Sequence, residues 1–265
     1  TERLGRKELE PKYPEHLVQR YGAKAGILLY IAEKLPNIPQ AKMVVNEKGE
    51  TTEEFLERAD NAQIGWPRLF RSSAVAELTG YEGKFPTKEI EPFEEGHDRV
   101  KWNDQNYSIF RNREYFERGI RETVEKVKNS PQGLKSIGEG QGLPDQINVI
   151  IAEKAKSRYI GTYIKHPNQK DIYLLTISQF FKLDRLKHDP DRTTFRFSEN
   201  TGLEELKQYS IDHMGGETIE RDLREVLKWH DQTASLPDMD PNWSYQVEFG
   251  IDPPCLFQVR PFKQS

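Results

Sequence analysis

Apolar residues that recur every three or four positions predict several helices in this chain. The clearest case is residues 112–130, where Phe116, Ile120, Val124 and Val127 would share one side of a helix. The predicted helices cover residues 24–35, 52–63, 112–130, 203–210 and 217–233. Gly22 precedes the first of these and prolines follow it, so we expect that helix to have sharp ends.

Alternating apolar and polar residues predict strands elsewhere. The predicted strands are residues 41–45, a strand ending at Leu69-Phe70, residues 147–155, 157–167 and 171–178, and two strands around Asp252-Pro253-Pro254. The polar stretch 188–202 is predicted to be a surface loop. Because helices and antiparallel strand pairs are mixed along the chain, we expect an α+β fold with two lobes.

A glycine-rich segment divides the predicted elements into two groups. Residues 131–146 contain four glycines and no apolar periodicity, which is typical of a linker. We therefore expect one domain over residues 1–265, with an N-terminal lobe at 1–130 and a C-terminal lobe at 147–265.

Composition limits the classes of function. The 39 basic and 43 acidic residues leave a net charge of -4, so no basic excess indicates nucleic acid as a partner. The longest apolar run, residues 27–32, is too short to span a membrane. A single cysteine, Cys255, excludes an internal disulfide. The first residues lack the apolar core of a signal peptide, and a cytoplasmic location is the expectation.

The terminal hairpin brings an acid, an amide and a guanidinium to one face. Gln258 and Arg260 lie two residues apart on the second strand, and a turn at 251–255 would place Glu248 opposite them. Carboxylate and amide oxygens suit Mg²⁺, and an arginine suits phosphate. The alternative is an exposed hairpin face with a Glu248–Arg260 salt bridge.

Two other stretches have anion-binding character. Lys24 follows Gly22-Ala23 at the first turn of a predicted helix, where free N–H groups favour an anion; the alternative is a solvated lysine. Arg71-Ser72-Ser73 precedes Gly80 and Gly83, so a cation and two hydroxyls would stand beside a flexible loop. Here the alternative is a helix-capping serine pair followed by a surface turn.

Five segments, in chain order, resemble the nucleotide-binding domain of the phosphoenolpyruvate synthase and pyruvate phosphate dikinase family. They are YGAKAGILL (21–29), IPQAKMVV (38–45), RSSAVAELTGYEGKFPT (71–87), INVIIAEKA (147–155) and YQVEFGIDPPCLFQVRP (245–261). The Arg-Ser-Ser-Ala and Gln-x-Arg-Pro motifs are the most specific of them. The resemblance implies an ATP-grasp fold in which ATP and Mg²⁺ lie between two lobes.

The resemblance also implies a role for each matching residue. Phosphates would be held by Lys24, Arg71 and Arg260, of which Arg71 and Arg260 would be catalytic; Gly83 and Thr87 would belong to a mobile covering loop; Glu153 would lie at the adenine hinge; Glu248 and Gln258 would bind Mg²⁺. Some positions depart from the family: Ala23 replaces a glycine and Leu78 replaces an aspartate. The family's phosphohistidine and pyruvate-binding domains have no counterpart in these 265 residues.

Three functions follow as expectations. The first is a Mg²⁺-dependent phosphotransferase, a kinase or dikinase-like enzyme, that passes a phosphoryl group from ATP to a separate phosphohistidine carrier or a small-molecule acceptor. The second is an ATP-grasp ligase that activates a carboxylate as an acyl phosphate. The third is a catalytically degenerate module that binds a nucleotide or a protein. AMP with phosphate as products would indicate the first, and ADP the second.

Overall fold

The computed structural model describes most of the predicted elements. The described residues are 13–74, 87–92, 99–102, 105–108, 113–128, 147–165, 172–178, 193–198, 217–240 and 244–262. Gly83, the glycine-rich segment 131–146 and the predicted helix 203–210 lie outside them.

Within this part of the chain there are four helices and eleven strands. The helices are α1 (Glu15–Lys34), α2 (Thr52–Asn61), α3 (Arg113–Lys128) and α4 (Glu217–Ala234). The strands are β1 (Met43–Val45), β2 (Arg68–Ala74), β3 (Thr87–Ile90), β4 (Arg99–Trp102), β5 (Gln105–Ser108), β6 (Ile147–Glu153), β7 (Tyr159–Lys165), β8 (Ile172–Ser178), β9 (Thr193–Ser198), β10 (Ser244–Ile251) and β11 (Cys255–Phe262).

The first sheet has four strands in the order β1-β6-β2-β3, and every pairing is antiparallel. Helices α2 and α3 cover one face through a core that includes Phe55, Phe70 and Val124. Helix α1 packs on the other face, where Ala25 contacts the cluster that contains Ile150. Helix α2 begins with a capping box, in which Thr51 and Glu54 satisfy each other's backbone N–H groups.

The second sheet has five antiparallel strands in the order β11-β10-β7-β8-β9. One face is apolar and packs with α4 and α1. The largest buried side chains of this core include Tyr163, Tyr245 and Phe249 from the sheet and Trp229 from α4, all at most 1% exposed. Because side chains alternate along a strand, Glu248 and Gln258 lie on the opposite face from this core.

The α+β prediction with antiparallel strand pairs is confirmed, but three local predictions are wrong. Helix α1 begins at Glu15 and not at residue 24, and it passes through Gly22 with only a local interruption. Strand β2 does not end at Phe70; it continues through Arg71 to Ala74, since β6 pairs with it along its whole length. The stretch 188–202 contains β9, whose β-branched and aromatic residues suit an edge strand. Strands β4 and β5 form a small separate sheet that the apolar pattern does not predict.

The chain passes from one sheet to the other after Glu153. Strand β6, which the sequence analysis assigns to the C-terminal lobe, pairs with β1 and β2 in the first sheet. It does not form a hairpin with β7, because β7 pairs with β8 and β10 instead. Residues 154–158 therefore connect the sheets. None of the described helices is long and apolar enough to cross a membrane.

Candidate functional site

Arg71 joins the first sheet to the terminal hairpin of the second. Its Nη1 donates to the carbonyl oxygen of Phe257 at 3.4 Å, and its Nη2 donates to Oε1 of Gln258 at 3.3 Å. Phe257 is the extra residue of a β-bulge, since Glu248 pairs with Gln258 whereas Phe249 pairs with Leu256. The bulge takes the Phe257 carbonyl out of the regular ladder, which leaves it able to accept from an arginine.

The hairpin face carries the three polar groups that the sequence places there. Glu248 and Gln258 are directly opposite each other across β10 and β11, and both are 7% exposed. Arg260 lies two residues beyond Gln258, and its Nη2 donates to Oε1 of Glu248. Thr162 of β7 lies on the other side of Glu248 in the same row of the sheet. The salt bridge that the sequence offered as an alternative is thus present within the same cluster.

Lys24 also reaches this region from α1. The helix is interrupted at Gly22, whose backbone has φ 80° and ψ 167°, and it resumes at Ala23. Lys24 is 8% exposed, and its Nζ donates to the carbonyl oxygen of Ser72 at 3.1 Å. The N–H of Ala25 donates to Oγ of Ser73 at 2.9 Å. Ser73 therefore caps the resumed helix, and the lysine is attached to β2 directly beside Arg71.

Thr87 and Glu153 lie at different distances from this cluster. Thr87 is the first residue of β3 and pairs directly with Arg71, so both occupy the same face of the first sheet. Glu153 pairs with Arg68, which is three residues along β2 from Arg71, a separation of about 10 Å. The same alternation places Glu153 on the opposite face from Arg71. Its carboxylate lies against Gly65, where an added Cβ would be 2.9 Å from Oε1.

An ion pair that the sequence pattern does not predict lies on the same face as Arg71. Lys154 Nζ lies 2.6 Å from Oε1 of Glu89, and both side chains are about a third exposed or less. Glu89 is two residues beyond Thr87 on β3, and it pairs with Leu69 of β2. Glu89 and Thr87 share a face because they are two residues apart, but the Glu89–Lys154 contact also requires β2 to pair with both β3 and β6.

Cys255 has no nucleophilic role in this arrangement. It begins β11, is 8% exposed, and burial raises the pKa of its thiol to about 11. The nucleophile is the thiolate, which at neutral pH is a very small fraction of a thiol with such a pKa. Its thiol is a small buried group at the start of the second hairpin strand.

The oxygen ligands on the hairpin fit a hard cation that also binds the phosphates of a nucleotide. Glu248 and Gln258 offer one carboxylate and one amide oxygen, the types that Mg²⁺ accepts. No group of three or more His, Cys, Asp or Glu residues that could hold a metal exists in the described part of the chain. A metal at Glu248 and Gln258 would therefore take further oxygens from phosphate or water, as Mg²⁺ commonly does.

No protein-family model matches the chain, and no curated protein matches it. Several solved structures resemble it in fold. The D-alanine-D-alanine ligase from Coxiella burnetii is 9% identical over 94% of this chain and 49% of its own, with a TM-score of 0.43. The carboxyaminoimidazole ribonucleotide synthase from Aspergillus clavatus, complexed with ATP, is 11% identical over 93% and 45%, with a TM-score of 0.45.

A third structure is similar over most of both chains. Ca. Korarchaeum cryptofilum ACD1, in complex with coenzyme A, is 13% identical over 91% of this chain and 92% of its own, with a TM-score of 0.48. By contrast, this chain spans about half the length of the ligase, of which it covers 49%, and of the synthase, of which it covers 45%. At these identities and scores the likeness is a partial one, in the arrangement of helices and sheets.

Proposed function

We propose that the chain binds ATP as its Mg²⁺ complex between the two sheets, as an ATP-grasp domain does, and uses it for phosphoryl transfer. One observation carries the proposal: Arg71 of the first sheet reaches Gln258 in the hairpin of the second. The hairpin in turn holds Glu248 and Arg260. Residues far apart in sequence thus form one polar cluster of the composition that a metal-bound triphosphate needs.

In this proposal each residue of the cluster has a defined task. Lys24, Arg71 and Arg260 bind phosphate oxygens and offset the charge that develops during transfer. Glu248 and Gln258 hold Mg²⁺, which when bound neutralises phosphate charge. Thr87, beside Arg71, and Gly83 belong to a segment that covers the phosphates, and Glu153 lies near the base.

The division into lobes also stays a proposal. It is best drawn with β6 on the side of the first sheet, because β6 pairs with β1 and β2. The hinge would then be residues 154–158, which follow Glu153. A base bound at this hinge would be about three residues, or about 10 Å, from the phosphate end of β2.

For the reaction class we put a carboxylate ligase first and a phosphotransferase of the phosphoenolpyruvate synthase type second. The phosphotransferase would need a separate phosphohistidine carrier or a small-molecule acceptor, and no described histidine is placed to stand in for that carrier. The two histidines in the described part of the chain, His16 and His230, are not in the cluster: His16 is exposed on α1, and His230 is buried beside Tyr163 and Tyr245. A ligase passes the phosphoryl group directly to a small carboxylate and requires no such residue.

Calorimetry with ATP, in the presence and absence of Mg²⁺, tests the binding proposal. We expect binding with Mg²⁺ and at least tenfold weaker binding for Arg71→Gln. The matched control is Arg121→Gln, which removes the same charge from a surface pair with Glu53 on α2. The absence of any heat with ATP and Mg²⁺ would remove nucleotide binding altogether.

Product analysis decides the reaction class. The chain is incubated with ATP, Mg²⁺ and mixtures of small carboxylates and amines, and the nucleotide products are separated. ADP that forms only with a carboxylate supports the ligase, whereas AMP with phosphate supports the phosphotransferase. Binding without either product would favour the degenerate binding module.

A further inference from the structure

Both oxygens that would bind the metal are held by arginines. Arg260 Nη2 donates to Oε1 of Glu248. Arg71 Nη2 donates to Oε1 of Gln258 at 3.3 Å. The Arg260 guanidinium comes from β11 and the Arg71 guanidinium from β2, so two separate elements place positive charge beside the proposed pair of metal ligands.

This pairing affects metal binding through charge. Glu248 and Gln258 are each 7% exposed, so a cation could approach them only along the polar face of the hairpin, where the guanidinium groups lie. A divalent cation that entered alone would stand within a few ångströms of two positive charges, and like charges at that range repel strongly in a poorly hydrated site.

Phosphate removes this repulsion. Arginine can bind a phosphate through the same pair of N–H groups with which it binds a carboxylate. A triphosphate in the site could therefore take both guanidinium groups, which would release the carboxylate and amide oxygens to the metal. Arg71 makes two contacts with the hairpin, at 3.3 and 3.4 Å, both at the long end of hydrogen-bond lengths.

We infer that Arg260 and Arg71 are internal counter-ions of the metal site, which exchange their hairpin oxygens for phosphate when the nucleotide binds. The metal and the nucleotide then bind together, and the site discriminates against a divalent cation alone. This inference rests on the proposed function, because it takes Glu248 and Gln258 as the metal ligands.

A merely structural ion pair makes a different prediction. If Arg260 only stabilised the hairpin, its loss would loosen Glu248 and weaken the binding of the metal and the nucleotide alike. If it is a counter-ion, removing its charge strengthens binding of the metal alone and weakens binding of the nucleotide. A change of the two affinities in opposite directions therefore distinguishes the counter-ion from a structural ion pair.

The test measures binding of Mn²⁺, a paramagnetic substitute for Mg²⁺, by the electron paramagnetic resonance signal of the free ion, after subtraction of the uptake of Mn²⁺ by the nucleotide analogue alone in a protein-free titration. Wild type, Arg260→Gln and Arg71→Gln are titrated with Mn²⁺ in the presence and absence of a non-hydrolysable ATP analogue. Arg121→Gln serves as the charge-matched control, and the double variant Glu248→Gln/Arg260→Gln identifies the site. Circular dichroism and thermal melting of every variant verify that it is folded.

We expect wild type to bind Mn²⁺ tightly only with the analogue. Arg260→Gln should bind Mn²⁺ alone at least tenfold more tightly than wild type, which corresponds to about 1.4 kcal/mol. It should also bind the analogue at least tenfold more weakly. Arg71→Gln should also bind the analogue at least tenfold more weakly, and it should strengthen the binding of Mn²⁺ alone by less than Arg260→Gln does. Arg121→Gln should change neither affinity, and the double variant should lose the gain in Mn²⁺ binding.

Three results overturn the inference, and they are distinguishable. Equal or weaker Mn²⁺ binding by folded Arg260→Gln, with normal Mn²⁺ and analogue binding by wild type, rejects the counter-ion exchange and leaves the proposed function intact. Tight Mn²⁺ binding by wild type without the analogue also rejects the exchange alone. Failure of wild type to bind the analogue in the presence of Mn²⁺ rejects the exchange and the proposed function together.

Discussion

Replacing Gly22 by alanine should destabilise the fold far more than an ordinary glycine-to-alanine change. Gly22 has φ 80° and ψ 167°, a conformation that is essentially restricted to glycine and costs other residues about 1–3 kcal/mol. An added Cβ would also lie 2.4 Å from the carbonyl carbon and oxygen of Ser73. These are backbone atoms of β2, so the clash can be relieved only by moving the helix or the strand, which typically costs about 1–3 kcal/mol more.

Gly49 provides the matched control. It also has a positive φ, 82°, but an added Cβ would meet nothing within 4 Å. Gly49→Ala therefore measures a conformational penalty without a clash, and the difference between the variants should be about 1–3 kcal/mol. If movement of α1 also breaks the Ala25–Ser73 cap, the difference grows by about 1 kcal/mol.

The assay is chemical denaturation followed by circular dichroism, with the free energy of unfolding extrapolated to water. Since domains of this kind are stable by about 5–15 kcal/mol, a loss of several kcal/mol is measurable without complete unfolding. If Gly22→Ala lost no more stability than Gly49→Ala, the close approach of α1 to β2 would be refuted. The attachment of Lys24 beside Arg71 would then be in doubt as well.

Three further predictions concern other parts of the fold. Burial raises the pKa of Tyr245 to about 12, so the folded state keeps a proton that the unfolded state loses above pH 10; stability should fall between pH 10 and 12, and Tyr245→Phe should reduce that decline in pH-dependent denaturation. Thr51→Ala should lower the free energy of unfolding by about 1 kcal/mol, because it removes the capping box of α2, with Glu57→Ala at an exposed position of the same helix as control. Asp222→Ala should cost about 1–3 kcal/mol in the same assay, since its buried Oδ2 accepts from the N–H of Asp252 in the hairpin turn; a cost equal to that of Glu225→Ala, at a partly exposed position of the same helix, would contradict this.

Local periodicity predicts three of the described helices closely. The predictions 52–63, 112–130 and 217–233 correspond to α2 (Thr52–Asn61), α3 (Arg113–Lys128) and α4 (Glu217–Ala234). The same pattern misses the first part of α1, which begins at Glu15 and not at residue 24. The polar face of the terminal hairpin also depends on local sequence, because the short turn determines which residues of the two strands lie opposite each other. The sequence therefore predicts the pairing of Glu248 with Gln258 that the structure shows.

Contacts between distant segments could not be predicted in this way. Strand β6 pairs with β2, which lies about 75 residues earlier, and not with β7, which follows it after a short connection. Nothing in the alternating pattern of either strand encodes that choice. The Glu89–Lys154 pair depends on it, and so does the position of Arg71 inside a strand instead of after one.

The two sheets are joined by apolar contacts of α1 and by hydrogen bonds of Arg71. Helix α1 belongs to both cores: Ala25 packs with Ile150 under the first sheet, whereas Ile27 and Ile31 are wholly or almost wholly buried in the core of the second. This apolar packing joins the two sheets. The hydrogen bonds of Arg71 to the hairpin, at 3.3 and 3.4 Å, are long and add little to it. Lys24 on α1, Arg71 on β2 and Arg260 on β11 thus bring cations from three separate elements to the place where the proposed nucleotide would bind through its phosphates.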